Sequence, residues 1–216
     1  MSTKIKICGL STPESIASAA DAGASHIGLV HFEPSPRHLS LERAAQLRRC
    51  VPKGISVVVL VVDPDGLTLA NIVEAVRPDV IQFHGDEPPE ALAAARAQFG
   101  CAVWKAMPVR ATSSLLASSA YDQAADLMLF DAPAPKGSAL PGGNGEAFGW
   151  DLLRGYSRGA ETGAWGLAGG LNPGNVSRAI EVTGAPLVDV SSGVETAPGV
   201  KDVDLIAAFC EAARQS

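Results

Sequence analysis

Four kinds of residue in this chain could do chemistry together: a thiol, a carboxylate, an arginine held by prolines, and two turns rich in glycine and serine. Cys8 closes a short apolar run, and Asp131 closes another. Arg37 sits in Ser35-Pro36-Arg37-His38, where a preceding proline can hold a bidentate fork ready for a carboxylate. Gly169-Gly170 and Ser191-Ser192-Gly193 follow two successive apolar runs near the C-terminus. Turns of this kind can surround a phosphate with backbone N–H groups at a helix N-terminus. Singly, each feature has a plain alternative: Cys8 as buried packing, Asp131 as a turn cap, Arg37 as a solvated charge, the glycines as tight connections. His84, in Gln82-Phe83-His84-Gly85, has no second histidine or carboxylate at ligand spacing, which favours a hydrogen-bonded supporting role over a metal ligand or base. Together they supply a candidate base, a candidate acid, a carboxylate grip and a phosphate anchor. That set suits proton transfers on a phosphorylated substrate with a second anionic group and requires neither cofactor nor metal.

These residues can cooperate only if the elements bring them to one mouth. Lys4 to Cys8 reads as a strand ending at Gly9, and Thr12-Pro13-Glu14 as a helix start with a hydroxyl cap and a first-turn proline. The alternation continues with strands over His26–Val30, Ile55–Val62, Asp79–Phe83, Ala102–Ala106, Leu127–Phe130, Trp165–Ala168 and Leu187–Val190. Helical spacing falls at Leu41–Cys50, Leu67–Val76, Pro88–Phe99, Thr112–Ala120, Trp150–Tyr156, the segment opened by Pro173, and Lys201–Ala213. Residues 131–147, with Pro141-Gly142-Gly143-Asn144-Gly145, have no apolar period and read as a long functional loop. Eight strand–helix units with short links predict a single-domain α/β chain closed into a (β/α)8 TIM barrel. Active sites in that fold gather where strands end, and phosphate sites form after strands seven and eight.

Composition narrows the partners. At 216 residues and 47% hydrophobic, the chain can bury one sizeable core. Its net charge of −6, with no Lys/Arg cluster, argues against nucleic acid. Ile55–Val62, the longest apolar run, is too short to span a bilayer and the N-terminus lacks a signal-peptide core, so a cytoplasmic protein that does not touch membranes is expected. Cys8, Cys50, Cys101 and Cys210 show no zinc spacing and are expected as free thiols.

Six motifs in order carry a resemblance over nearly the whole chain: Lys6-Ile7-Cys8-Gly9-Leu10, Ser35-Pro36-Arg37, Gln82-Phe83-His84-Gly85, Leu140-Pro141-Gly142-Gly143-Asn144-Gly145, Leu167-Ala168-Gly169-Gly170-Leu171-Asn172-Pro173 and Asp189-Val190-Ser191-Ser192-Gly193-Val194-Glu195. The chain resembles the phosphoribosylanthranilate isomerases of tryptophan biosynthesis. The resemblance implies an Amadori rearrangement of N-(5-phosphoribosyl)anthranilate to 1-(2-carboxyphenylamino)-1-deoxyribulose 5-phosphate, in a monomer or homodimer. It implies Cys8 as general base, Asp131 as general acid and Arg37 on the anthranilate carboxylate. His84, Gly142, Gly143, Asn144, Gly169, Gly170, Asp189, Ser191, Ser192 and Gly193 would bind substrate. The mechanism asks that Cys8 be helped to ionise, and that Asp131 be kept protonated by an apolar or anion-rich surrounding. The chain departs from the family pattern at His31, Phe83 and Gly149, none of them a catalytic group.

Rival enzymes fit less well. The histidine-pathway isomerase carries a carboxylate base on its first strand and resembles a tandem duplication, whereas here that strand holds Cys8 and the halves are unlike. Indole-glycerol-phosphate synthase leans on lysine and glutamate pairs at strand ends, and Lys105 is the only obvious interior lysine. A catalytically silent phosphate-binding protein would need neither Cys8 nor Asp131.

Overall fold

The structure is a computed structural model that describes residues 3–133, 140–143, 145, 148–157 and 164–216. Eight parallel strands close into a barrel: β1 (Lys4–Cys8), β2 (His26–Val30), β3 (Ser56–Val61), β4 (Val80–Phe83), β5 (Ala102–Pro108), β6 (Leu127–Asp131), β7 (Ala164–Leu167) and β8 (Leu187–Val190), with β8 returning to β1. Helices α1 (Pro13–Asp21), α2 (Leu41–Arg48), α3 (Gly66–Val76), α4 (Pro89–Phe99), α5 (Thr112–Ala117), α6 (Val176–Thr183) and α7 (Val203–Arg214) cover the outside.

The strands divide their residues between two layers by simple alternation. Ile5, Ile7, Ile27, Val57, Val59, Ile81, Val103, Met128 and Val188 face outward and form the main core with the helices. Val58, Val80, Trp104, Leu127 and Leu187 pack in the barrel interior. Lys6, Cys8, Gly28, Gln82, Asp131 and Asp189 share the inward parity, so the interior turns polar toward the strand C-termini. Caps support the helix starts read near Pro13, Leu41 and Leu67, where Thr12, Ser40 and Asp65 accept backbone N–H bonds for α1, α2 and α3, and Asp202 caps α7 in the same way.

Three expected helices come out differently. Trp150–Leu153 is a single 3₁₀ turn, because Gly149 and Gly155 bracket too few residues for an α-helix and only Leu153 is buried. The chain expected as one helix over 112–120 is the short α5, without a side-chain cap or a buried residue, followed by a 3₁₀ turn at Ser118–Tyr121. Lys201, placed at the start of the last helix from sequence, instead ends a hairpin of β9 (Glu195–Ala197) and β10 (Val200–Lys201), and α7 begins two residues later.

Candidate active site

Parallel register decides which side chains meet at the C-terminal mouth. Cys8 lies opposite Gly28 across the β1–β2 pairing, and a β-carbon on Gly28 would stand 2.9 Å from the Cys8 sulfur. Gly28 therefore makes room for the thiol. One step down, Lys6 lies opposite Asp189 of β8, and its Nζ donates to Asp189 Oδ2 at 2.8 Å with both side chains buried. Burial pushes the Cys8 thiol above its ordinary range, with the Lys6 ammonium pulling it down, Asp189 pushing it up and Lys201 pulling it down. Burial also raises Asp189, which Lys6 draws back, while Asp189 and Cys8 outweigh burial and hold Lys6 above its usual range.

Asp131 ends β6 on the opposite wall. Its Oδ1 accepts the Ala132 N–H at 2.7 Å, and its Oδ2 lies 3.1 Å from His84 Nε2. Gln82 Nε2 stands 3.5 Å from His84 Nδ1 on the other side of the ring. His84 therefore stands between Gln82 and Asp131. Gly142 and Gly169 cover this pair: a β-carbon on Gly142 would come within 2.8 Å of Asp131 Oδ2 and 2.7 Å of the His84 ring, and one on Gly169 would strike Ala132 N. Hydrogen-bonding groups flank both carboxylate oxygens, and Asp189 is a second carboxylate lining the same cavity.

Arg37 reaches the same mouth, but its fork is already engaged. Nε and Nη2 donate to the two oxygens of Glu195 at 2.8 and 2.7 Å, and Nη2 also lies 3.3 Å from the Gly143 carbonyl. Nη1 has no hydrogen-bond partner among the described residues and remains for a ligand. Lys201 backs this pair, donating to Glu195 Oε1 at 2.6 Å and to the Ser191 carbonyl at 2.9 Å. Ser191 Oγ in turn donates to the Cys8 carbonyl at 3.2 Å, linking the turn after β8 to the thiol strand.

The two expected phosphate turns face each other. Gly169 and Gly170 have φ of +83° and +63°, conformations only glycine adopts freely. Gly193 is packed against the Leu171 carbonyl so closely that a β-carbon could not fit, which brings the turns together. The N–H groups of Gly170, Ser192 and Gly193 donate to no acceptor among the described residues. One open cavity joins these features. Cys8, Arg37, His84, Asp131, Gly142, Gly143, Gly169, Gly170, Asp189, Ser191 and Ser192 line it; Gly193 stands behind the lining, and Asn144 lies outside the described residues. Val30, Phe32, Leu60 and Val62 add an apolar wall beside Cys8.

The sequence reading missed Lys6, Gly28, Gln82, Glu195 and Lys201. Alternation along Lys4, Lys6 and Cys8 was a usable signal, since any residue two before Cys8 shares its inward face. Lys105 was misplaced: it points outward from β5 and bonds Glu87 at 3.2 Å and the Gly85 carbonyl at 2.7 Å beneath the loop after β4. Lys6 is the fully buried lysine of the interior. Among the described residues no cluster of His, Cys, Asp or Glu could hold a metal ion, no helix is long and apolar enough to cross a membrane, and all four cysteines are free thiols.

Comparisons with known proteins point to one family. The family model described as N-(5'phosphoribosyl)anthranilate (PRA) isomerase matches residues 5–212. N-(5'-phosphoribosyl)anthranilate isomerase of Erythrobacter litoralis is 55% identical over 214 residues, covering 99% of this chain and 100% of its own. The crystal structure of phosphoribosyl anthranilate isomerase from Thermotoga maritima superposes with a TM-score of 0.88 at 31% identity, covering 99% of this chain and 100% of that one. A phosphoribosyl anthranilate isomerase in complex with reduced 1-(o-carboxyphenylamino)-1-deoxyribulose 5-phosphate gives a TM-score of 0.85 at 29% identity with the same coverage. The thiol, carboxylate, arginine and paired turns at one barrel mouth thus stand in a chain that belongs to the N-(5'-phosphoribosyl)anthranilate isomerase family.

Proposed function

We propose that this chain isomerises N-(5'-phosphoribosyl)anthranilate to 1-(2-carboxyphenylamino)-1-deoxyribulose 5-phosphate by an Amadori rearrangement, with Cys8 as base and Asp131 as acid. The observation that carries the assignment is the placement of those two groups on opposite walls of one cavity that also holds Arg37 and the turns after β7 and β8. The phosphate sits on the N–H groups of Gly170, Ser192 and Gly193. The anthranilate ring lies against Val30, Phe32, Leu60 and Val62, with its carboxylate on Arg37 Nη1. The ligand named in the related complex carries the same three parts, a phosphate, a sugar chain and a carboxyphenylamino group.

In the reaction, the Asp131 carboxyl proton passes to the ribose ring oxygen as the C1–O bond breaks and the nitrogen lone pair forms an iminium, leaving the Asp131 carboxylate beside His84. The iminium acidifies the C2–H and places a positive charge near Cys8, which offsets the burial that disfavours its thiolate. Cys8 then removes the C2 proton to give an enolamine. The tautomerisation that follows adds a proton at C1 and releases the hydroxyl proton at C2, so both groups are restored.

Turnover of purified protein with N-(5'-phosphoribosyl)anthranilate, unlabelled and deuterated at C2, tests the reading. Cys8→Ser and Asp131→Asn are each expected to lose about 10²–10⁴ in rate, because each removes a positioned proton-transfer group. Cys8→Ser should show a larger isotope effect than wild type, and Asp131→Asn a small one, because ring opening then limits the rate. An isotope effect that rises in Asp131→Asn and not in Cys8→Ser would reverse the assignment.

A further inference from the structure

The hairpin that the sequence reading missed puts an anion and a cation against Arg37. Glu195 accepts from Arg37 Nε at 2.8 Å, Arg37 Nη2 at 2.7 Å, Lys201 Nζ at 2.6 Å and the Gly199 N–H at 3.2 Å. All three charged side chains are buried. Burial pushes the Glu195 carboxyl up, but Arg37 and Lys201 outweigh it and hold the group below its ordinary value. The cluster therefore carries two cations and one anion, a sum of +1. Holding Arg37 in place would not by itself require a carboxylate, since the Gly143 carbonyl already accepts from the same guanidinium. What a neutral acceptor cannot do is cancel a charge.

We propose that Glu195 is a specificity-determining residue: it cancels one of the two buried cations at the Arg37 end of the cavity, fitting that end to a single carboxylate and against a second phosphate. The proposal rests on the placement of phosphate and carboxylate given above. A carboxylate on Nη1 brings the cluster to neutrality. A phosphate, with about −1.5 to −2 charge at neutral pH, leaves unpaired negative charge against a buried cluster. Bound to the guanidinium that Glu195 already contacts, it also stands beside the Glu195 charge. The side-on edge of Arg37 is committed to Glu195, so a phosphate cannot take it without expelling that carboxylate. Rejection by an unpaired charge is a recognised route to selectivity where two ligands share one anchoring group.

Competition binding with ribulose 5-phosphate and ribulose 1,5-bisphosphate tests this without turnover, so its outcome is separate from whether the isomerase reading holds. The measured quantity is the ratio of the two dissociation constants, in which the shared phosphate at the β7 and β8 turns cancels. Glu195→Gln is expected to shift the ratio at least about tenfold toward the bisphosphate, as the cluster rises to +2. Lys201→Gln is expected to shift it the opposite way, as the sum falls to zero. An unchanged ratio in Glu195→Gln, with ribulose 5-phosphate still bound, overturns the proposal. If Glu195→Gln loses ribulose 5-phosphate, Lys201→Gln decides: a shift away from the bisphosphate supports the proposal and no shift overturns it. Loss of ribulose 5-phosphate in both variants also overturns it, because the pair would then serve to hold the phosphate turn.

Discussion

Lys6 Nζ stands 2.8 Å from Asp189 Oδ2 inside the barrel, one inward step below Cys8 on β1. Asp189 Oδ1 is buried without a hydrogen-bond partner among the described residues, and Asp189 lines the cavity. Charges taken out of water must be offset by each other, so the cost falls on whichever partner is left alone. Lys6→Met is therefore expected to lower the unfolding free energy by about 3–5 kcal/mol at neutral pH, the usual cost of stranding a buried charge. Lys6→Met/Asp189→Asn should recover most of that loss in urea unfolding. Equal losses in the single and double variants would mean that packing, not the ion pair, is what Lys6 supplies.

Gly28→Ala should act on the thiol more than on the fold. The added methyl would stand 2.8 Å from the Cys8 Cα and 2.9 Å from its sulfur, closer than real contacts allow. A strand residue can accept alanine in its backbone conformation, so overpacking should cost about 1–3 kcal/mol of stability. Turnover should fall by about tenfold or more, because a base displaced by a fraction of an ångström loses its line to the C2 proton. Steady-state kinetics beside a denaturation curve separates the two effects; unchanged kcat would show that Cys8 tolerates the shift.

The thiol's burial gives a pH prediction. Alkylation of Cys8, followed by peptide mapping, should rise with pH to an inflection above the ordinary thiol value of about 8.5, since burial favours the neutral form. Saturation with a product analogue should block the labelling. An inflection at or below the ordinary value would mean that Lys6 and Lys201 outweigh burial.

His26 predicts how stability responds to acid. It lies opposite Lys6 in the β1–β2 register, bonds Ser25 Oγ at 2.8 Å and packs on Trp104, and burial with Lys6 and Lys4 lowers its pKa to about 4. Between about 4 and its ordinary 6.5 the unfolded chain binds a proton that the folded chain does not. The unfolding free energy therefore rises with pH across that window, and this contribution, about 3 kcal/mol at most, is lost as pH falls through it. His26→Gln should flatten that part of the profile relative to wild type. A variant with the same slope between pH 6.5 and 4 would place the titration elsewhere.

Most of the architecture was legible because the features that encode it are local. Apolar runs of strand length, Thr12 as a cap, and glycines after strands are properties of neighbouring residues, and they placed eight strands and most helices close to where they lie. The reading failed where a local pattern was too short to hold: Trp150–Leu153 has helical spacing but only one turn between two glycines. It also failed at β9 and β10, whose five residues alternate too briefly to announce a hairpin.

For the site, the sequence alone determined which chemical groups were available and that they fall at strand ends, since Cys8, His84, Asp131 and Ser191 each close or follow an apolar run. Only the tertiary structure decided their partners. Lys6 with Asp189 is separated by 183 residues and Arg37 with Glu195 by 158, and each pairing exists because barrel closure or the hairpin after β8 brings distant chain together. Charge partners carry no local signature. An arginine after a proline looks the same in sequence whether its fork is open to substrate or already filled, and it is the hairpin after β8 that fills it.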